Sequence, residues 1–370
     1  MMSEKAKQNI LLTPGPTPVP EDVRRVMAEP IIHHRTPQYR KIFEAATASL
    51  QKVFRTKNPV YTMAGSGTSA MEASIVNFHQ IGDETLVVEG GKFAERFTDL
   101  AHAFGLKPVV IKVPWSEAVD PKVIEAELQK NPNIQSVCVQ LCETSTAVLN
   151  DIEAIGKITS KTQALLIVDA ISGLGADKLE SDAWGVDLVI AGSQKALMLP
   201  PGLSFLSVSE KAKDRMKGSN IPKFYLDIKL YEKGLKDWDS PFTPAVTLVI
   251  GLLESLRKIE KAGIENVWKR CTEYAAFTRE QLQKLGLQIY SKAPSSTVTA
   301  ARVPEGIDGG KLVKIMRDEK GVTLAGGQGS LKGKIIRICH MGAITKEDIQ
   351  KGISVLGETL EEMKMTAKSK

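Results

Sequence analysis

Leu165-Leu166-Ile167-Val168-Asp169-Ala170, followed by Val186-Asp187-Leu188-Val189-Ile190-Ala191-Gly192-Ser193-Gln194-Lys195, decides the fold. Each stretch is a near-continuous aliphatic run that ends on small or polar residues. Strands covered on both faces read this way, because neither face can afford polar side chains. Similar runs recur at Val60–Met63, Thr85–Val88, Pro108–Val113, Ile134–Leu141 and Leu203–Ser207, with helical patterns such as Ala70–Gln80 and Phe93–Phe104 between them. The alternation predicts an α/β domain built on a mostly parallel, seven-stranded sheet.

After about residue 245 the pattern changes. Val246–Ala262 and Ile264–Leu285 read as long amphipathic helices, the second stopped by Gly286. Short strands near Ser296–Val303 and Lys334–Cys339 flank a helix at Gly310–Asp318, as in a smaller α+β domain. At the other end, Thr13-Pro14-Gly15-Pro16-Thr17-Pro18 carries a proline at every second position and predicts an extended, stiff arm. Met365–Lys370 reads as a frayed tail.

The bulk properties bound the partners. The chain has 370 residues, 42% hydrophobic and 25% charged, an ordinary globular composition. Its net charge of +6, from 49 basic and 43 acidic residues, is scattered, which suits small anions and makes no case for nucleic acid. No stretch approaches a membrane span, and the polar start of the chain, Met1 to Asn9, lacks an apolar signal core. Cys138, Cys142, Cys271 and Cys339 have no metal-ligand spacing, so no metal is expected, and reduced cytoplasmic thiols are.

Three elements carry chemistry. Gly65-Ser66-Gly67-Thr68-Ser69-Ala70 follows a strand and opens a helix, so its backbone N–H groups and hydroxyls suit a phosphate. The same string fits a G-x-G-x-x-A dinucleotide fingerprint with Glu89 as the ribose acid, and it also fits a plain tight turn. Asp169 stands at a strand end, where ligands bind in open α/β sheets and where helix-capping aspartates are also common. Lys195 ends a polar turn and is followed by Ala196-Leu197-Met198-Leu199-Pro200-Pro201-Gly202. Those apolar neighbours predict a desolvated amine able to form a Schiff base. If the two strands are neighbours, about 5 Å apart, a flat cofactor can meet the carboxylate with its ring nitrogen and the amine with its aldehyde. Pyridoxal phosphate requires that pair and a phosphate cup.

The chain resembles the class V aminotransferases of fold type I, in the alanine/serine–glyoxylate group. The matching pieces span nearly its whole length: Thr13-Pro14-Gly15-Pro16, His34-Arg35, Gly65-Ser66-Gly67-Thr68, Glu143-Thr144-Ser145-Thr146, Val168-Asp169-Ala170, Gly192-Ser193-Gln194-Lys195, Pro200-Pro201-Gly202, Thr243-Pro244, and Arg337 with His340-Met341-Gly342. The resemblance implies a large pyridoxal-phosphate domain over residues 18–250 and a small domain made from 1–17 and 251–370. It implies Lys195 as the lysine bonded to the cofactor and the proton shuttle, and Asp169 as partner of the ring nitrogen. Ser66, Gly67, Thr68 and Ser193 would hold the phosphate. Thr144, Ser145 and Gln194 would surround the ring hydroxyl, with Phe93 stacked on the ring. Arg337 would take the substrate carboxylate, and the arm at Gly15 would line the substrate pocket. Thr243 would reach the phosphate of a partner subunit in a homodimer with shared active sites. Relatives with a phosphate-binding tyrosine carry it three residues earlier, where this chain has Ser240.

The activity implied is transfer of an amino group from alanine or serine to glyoxylate or pyruvate. Aspartate and phosphoserine aminotransferases are alternatives within the fold. A cysteine desulfurase needs a loop cysteine that Gly326-Gly327-Gln328-Gly329-Ser330 lacks. An NAD-dependent oxidoreductase built on Gly65–Ala70 leaves Asp169, Lys195 and Arg337 unexplained. Some relatives are labelled as a small subunit of a soluble hydrogenase, but the chain has no cluster-binding cysteine pattern.

Overall fold

A computed structural model describes residues 9–368. The reading of the polar N-terminal residues as free of a signal core rests on positions almost all outside that range. The seven expected strands are Val60–Gly65 (β1), Glu84–Glu89 (β2), Lys107–Lys112 (β3), Ile134–Gln140 (β4), Leu165–Asp169 (β5), Leu188–Gly192 (β6) and Gly202–Val208 (β7). They form one sheet in the order β1-β7-β6-β5-β4-β2-β3. All pairings are parallel except those of β7, which runs antiparallel to both β1 and β6.

The aliphatic runs are explained by burial on both sides. Alternate residues of one strand enter different cores: Leu166 and Val168 join one apolar cluster, Leu165 and Ile167 the other. β5 and β6 have no exposed residue along their length. A polar side chain in the middle of either strand would lose its hydration among apolar neighbours, and the one polar side chain, Asp169, stands at the carboxyl end of β5.

The helices that matter to the site are Pro37–Phe54 (α1), Gly67–Val76 (α2), Glu95–Ala103 (α3), Val246–Ala262 (α4), Ile264–Lys284 (α5), Gly309–Asp318 (α6) and Lys346–Lys368 (α7). α2 begins three residues before the expected Ala70, so Gly67 and Thr68 form its first turn instead of a loop ahead of it. The expected frayed tail is mostly helix, since α7 continues to Lys368; only Ser369 and Lys370 of that stretch lie outside the described residues.

A second, three-stranded antiparallel sheet contains Val298–Arg302 (β8), Ala325–Gly326 (β9) and Ile335–Cys339 (β10), with β10 central. The proline-rich arm departs from expectation. Residues 13–16 bend, with a cis Gly15–Pro16 bond and Gly15 at φ +117°. Before the bend, Ile10–Leu11 pairs in parallel with Val322–Thr323, and the Leu12 carbonyl accepts from Cys339 N at 2.9 Å. After it, Thr17 is bonded through N and Oγ1 to the carbonyls of Gln194 and Lys195. Among the described residues, no helix is long and apolar enough to cross a membrane.

Candidate active site

β5 and β6 are adjacent, with Asp169 opposite Ile190. Their carboxyl ends therefore deliver Asp169 and the Gly192–Lys195 turn to the same edge of the sheet. A cavity of about 470 Å3, part of it open to solvent, lies there. Eight of the residues singled out from sequence line it: Ser66, Gly67, Thr68, Phe93, Thr144, Asp169, Gln194 and Lys195.

Each is held by its element. The first turn of α2 leaves backbone N–H groups of Gly67 and Thr68 without intrahelical acceptors, and they face the cavity with the positive end of the helix. Gly67 has to be glycine or nearly so, because a Cβ there would lie 2.4 Å from Ile171 Cδ1. Asp169 is buried and its Oδ1 accepts from Ile171 N at 2.9 Å. Burial pushes its carboxyl up to about 6. Burial also lowers the Lys195 amine below the usual lysine range, against the pull of Asp169 in the opposite direction. Lys195 Nζ donates to the Pro14 carbonyl, and a Cβ on Gly15 would stand 2.4 Å from that nitrogen. The bend in the arm thus brings backbone directly over the amine.

Other expected residues sit elsewhere. Ser193 is fully buried, and its hydroxyl donates to Pro200 O at 2.8 Å and accepts from Leu203 N at 3.2 Å. It braces the Pro200-Pro201 turn and is not in the cavity lining. Ser145 donates to Glu143 Oε1 at 2.6 Å and accepts from Lys92 N at 3.0 Å, so its hydroxyl is also spent internally. Thr243 is exposed, away from this cavity, beside Tyr225 and Phe242. Ser240 spends its hydroxyl on Phe242 O at 2.6 Å. Arg337 is 5% exposed, with Nε and Nη2 on Gly326 O and Nη1 on Thr144 O at 2.9 Å. It reaches the site through the Thr144 backbone.

Four lining residues were not anticipated: Arg96, Cys142, Ile171 and Ser172. Glu143, behind the lining, organises the wall. Its buried carboxylate accepts from Phe93 N at 3.1 Å, Ala94 N at 2.9 Å, Ser145 N at 2.9 Å and the Ser145 hydroxyl. Burial raises its carboxyl while these bonds lower it. The signal was an acid directly after the apolar Leu141-Cys142. Glu143→Ala leaves two buried N–H groups, a half-buried one and a buried hydroxyl without their acceptor. At about 1–3 kcal/mol for each unsatisfied buried group, a loss of at least about 3 kcal/mol is expected in urea denaturation followed by circular dichroism. An unchanged midpoint would show that those donors are satisfied without the carboxylate.

Residues 14–351 match the family model described as Aminotransferase class-V. The chain belongs to the class V aminotransferases. It is 39% identical, over 99% of its length and 95% of the relative's, to a Synechococcus protein named soluble hydrogenase, small subunit. It is 34% identical to L-aspartate–glyoxylate aminotransferase of Paracoccus denitrificans, over 94% of this chain and 90% of that one. The crystal structure of alanine–glyoxylate aminotransferase from Nostoc sp. superposes with a TM-score of 0.92 at 29% identity, covering 97% of each chain.

As a class V aminotransferase the chain uses pyridoxal phosphate, and the cavity suits that group. It offers an acid, an amine, an aromatic face and a helix N-terminus with hydroxyls. Gln194 Oε1, in addition, is buried without a hydrogen-bond partner and belongs to a residue lining the cavity. Such an atom is costly unless a ligand or water donor completes it. The features of other chemistries are occupied or inert. Glu89, the acid of the dinucleotide alternative, accepts from Thr98 on α3. Burial pushes the Cys339 thiol up to about 12, leaving it protonated. The four cysteines are separate, buried and free, and no group of three metal-binding side chains occurs among the described residues.

Proposed function

We propose that this aminotransferase moves the amino group of a small amino acid, alanine or serine, to a 2-oxoacid, glyoxylate first and pyruvate second. The observation that carries the reading is the convergence of Asp169, Lys195 and the α2 N-terminus on one cavity, with Arg337 behind its wall. Glyoxylate is the acceptor named for both the Paracoccus and the Nostoc relatives. A small donor is supported by the Pro14 carbonyl and Gly15 lying directly over the lysine amine.

Bound pyridoxal phosphate supplies an aldehyde that condenses with amines and a ring that accepts the electron pair released from substrate Cα. Asp169 would hold a proton on the ring nitrogen, and its burial would strengthen that pairing because little water competes. Lys195, with its amine pKa lowered by burial, has more of its uncharged form near neutrality than an exposed lysine has. With the cofactor bound, it would be the base that takes the proton from substrate Cα and the acid that gives it back. Phe93 would stack on the ring, Thr144 and Gln194 would meet its hydroxyl, and Ser66, Gly67 and Thr68 would hold the phosphate. Arg337 receives the α-carboxylate in a bidentate grip, exchanging backbone carbonyls for a charged acceptor. Ser145 and Ser193 act as supports for neighbouring loops.

The same reading makes the protein a cytoplasmic homodimer with shared sites. On that reading Thr243, exposed and away from its own cavity, would reach the partner's phosphate. It also divides the chain into a large cofactor domain over 18–250 and a small domain from 1–17 and 251–370. The pairing of Ile10–Leu11 with Val322–Thr323 supports that division.

The test is spectroscopic. Protein reconstituted with pyridoxal phosphate shows a visible band, which bleaches on adding L-alanine or L-serine alone and returns with glyoxylate. Faster bleaching by L-aspartate than by either would reassign the donor. Protein that stays colourless after reconstitution would remove the reading altogether.

A further inference from the structure

Arg96 lies in the first turn of α3, three residues after Phe93. Its guanidinium carbon stands 5.4 Å from the Phe93 ring centroid, and it lines the same cavity as Ser66, Gly67 and Thr68. Among the described residues its side chain has no hydrogen bond or ion pair. The nearby acids are engaged: Glu95 with Lys92, Glu143 with its four donors, and Asp169, which feels the charge of Arg96 without bonding to it, with Ile171 N. A guanidinium has five donors and cannot shed its charge, so an unpaired one in a ligand cavity points to an anion.

The charge balance of the cavity says which anion. Its wall contains two cations, Arg96 and Lys195, and one carboxylate, Asp169. A phosphate monoester brings about −1.5 to −2 at neutral pH. The α2 end offers it dipoles and hydroxyls but no full charge, and Ser69 there already donates its hydroxyl to Ser66 O. Lys195 is directed to Pro14 and the chemistry. α2 and α3 pack side by side, so their first turns open on the same space.

We infer that Arg96 is the charged partner of the cofactor's phosphate, held in place by stacking on Phe93. The inference rests on the pyridoxal-phosphate reading given above. It is tested by comparing two ligands that share a ring and differ only in the phosphate. Cofactor-free protein is titrated with pyridoxal 5′-phosphate and with pyridoxal, in the wild type and in Arg96→Gln, following absorbance. A hydrogen bond between charged groups corresponds to roughly a 10–100-fold effect on affinity. The variant is expected to weaken pyridoxal phosphate by that factor and leave pyridoxal within about twofold. Arg96→Lys, which keeps the charge, is expected to recover part of the loss. The selectivity ratio is measured within each folded variant, so a change in overall stability does not imitate the result. Equal losses for both ligands would overturn the inference and assign Arg96 to the ring through Phe93. Unchanged cofactor binding with a raised KM for L-aspartate would overturn it by making a substrate carboxylate the anion. Failure of the wild type to bind either ligand would instead remove the cofactor reading itself.

Discussion

Lys195→Ala folds and retains pyridoxal phosphate without a covalent link, and its conversion of amino donor to oxoacid falls by about 10⁴-fold or more. A positioned general base is worth roughly 10²–10⁴, and on the proposed reading this residue would also be the nucleophile that holds the aldehyde. The loss appears in single-turnover absorbance with L-alanine, before any acceptor is added, which separates it from effects on glyoxylate binding. A small primary amine added to the solution restores part of the rate, because the missing function is proton transfer by an amine. Stability moves little or upward. The native lysine pays to desolvate its ammonium, so its folded pKa lies below the unfolded one. A lysine lowered in this way costs stability below its folded pKa, and the cost fades as pH rises toward the unfolded value. Removing the amine removes that cost, offset by the space left behind. Normal turnover in the variant would refute the assignment.

Asp169→Asn produces opposite changes in activity and in the stability of the cofactor-free protein. Catalysis falls, since asparagine cannot hold a proton on the ring nitrogen, and a preorganised electrostatic contact of this kind is worth roughly 10²–10³ in rate. Without cofactor, however, the native carboxyl titrates at about 6 instead of 3.8 because it is buried. It binds its proton more tightly folded than unfolded. The penalty is absent below the unfolded pKa, grows through the window from 3.8 to about 6, and is complete above it. At about 1.4 kcal/mol per pH unit the full penalty is about 3 kcal/mol. The asparagine variant is therefore expected to unfold at higher urea than the wild type at neutral pH. The difference shrinks as the pH is lowered toward about 4. A variant less stable than wild type at neutral pH would show that the bond from Ile171 N outweighs desolvation. Added pyridoxal phosphate reverses the order, because it supplies the cationic partner the carboxylate lacks.

The backbone plan was legible because each large-sheet strand is buried on both faces, and nothing but an aliphatic run satisfies that. Asp169 and Lys195 were legible for a related reason: they break such runs where a sheet presents its carboxyl ends. What escaped reading depends on contacts between distant residues. Glu143 earns its importance from backbone donors at Phe93 and Ala94, which no local pattern reveals. Ser193 stands in the right motif, but its hydroxyl is used by Pro200 and Leu203. Arg96 had a local clue in its spacing from Phe93, yet only the missing counter-ion separates it from a surface arginine. Proline stiffens a chain locally, and its spacing in the arm predicts an extended, stiff segment. Its bend is fixed by Leu12 on one side and Thr17 on the other, each bonded to a different part of the molecule.

That double attachment limits how far the molecule can open. Between Leu12, fastened to Thr323 and Cys339, and Thr17, fastened to Gln194 and Lys195, the backbone stretches to about 17 Å at most. While both ends stay fastened, the strand carrying Arg337 and the loop carrying the reactive lysine are leashed to each other. Traffic of amino acid and oxoacid then has to pass beside the leash. A graft that lengthened residues 13–16 would slacken it and expose the amine to water.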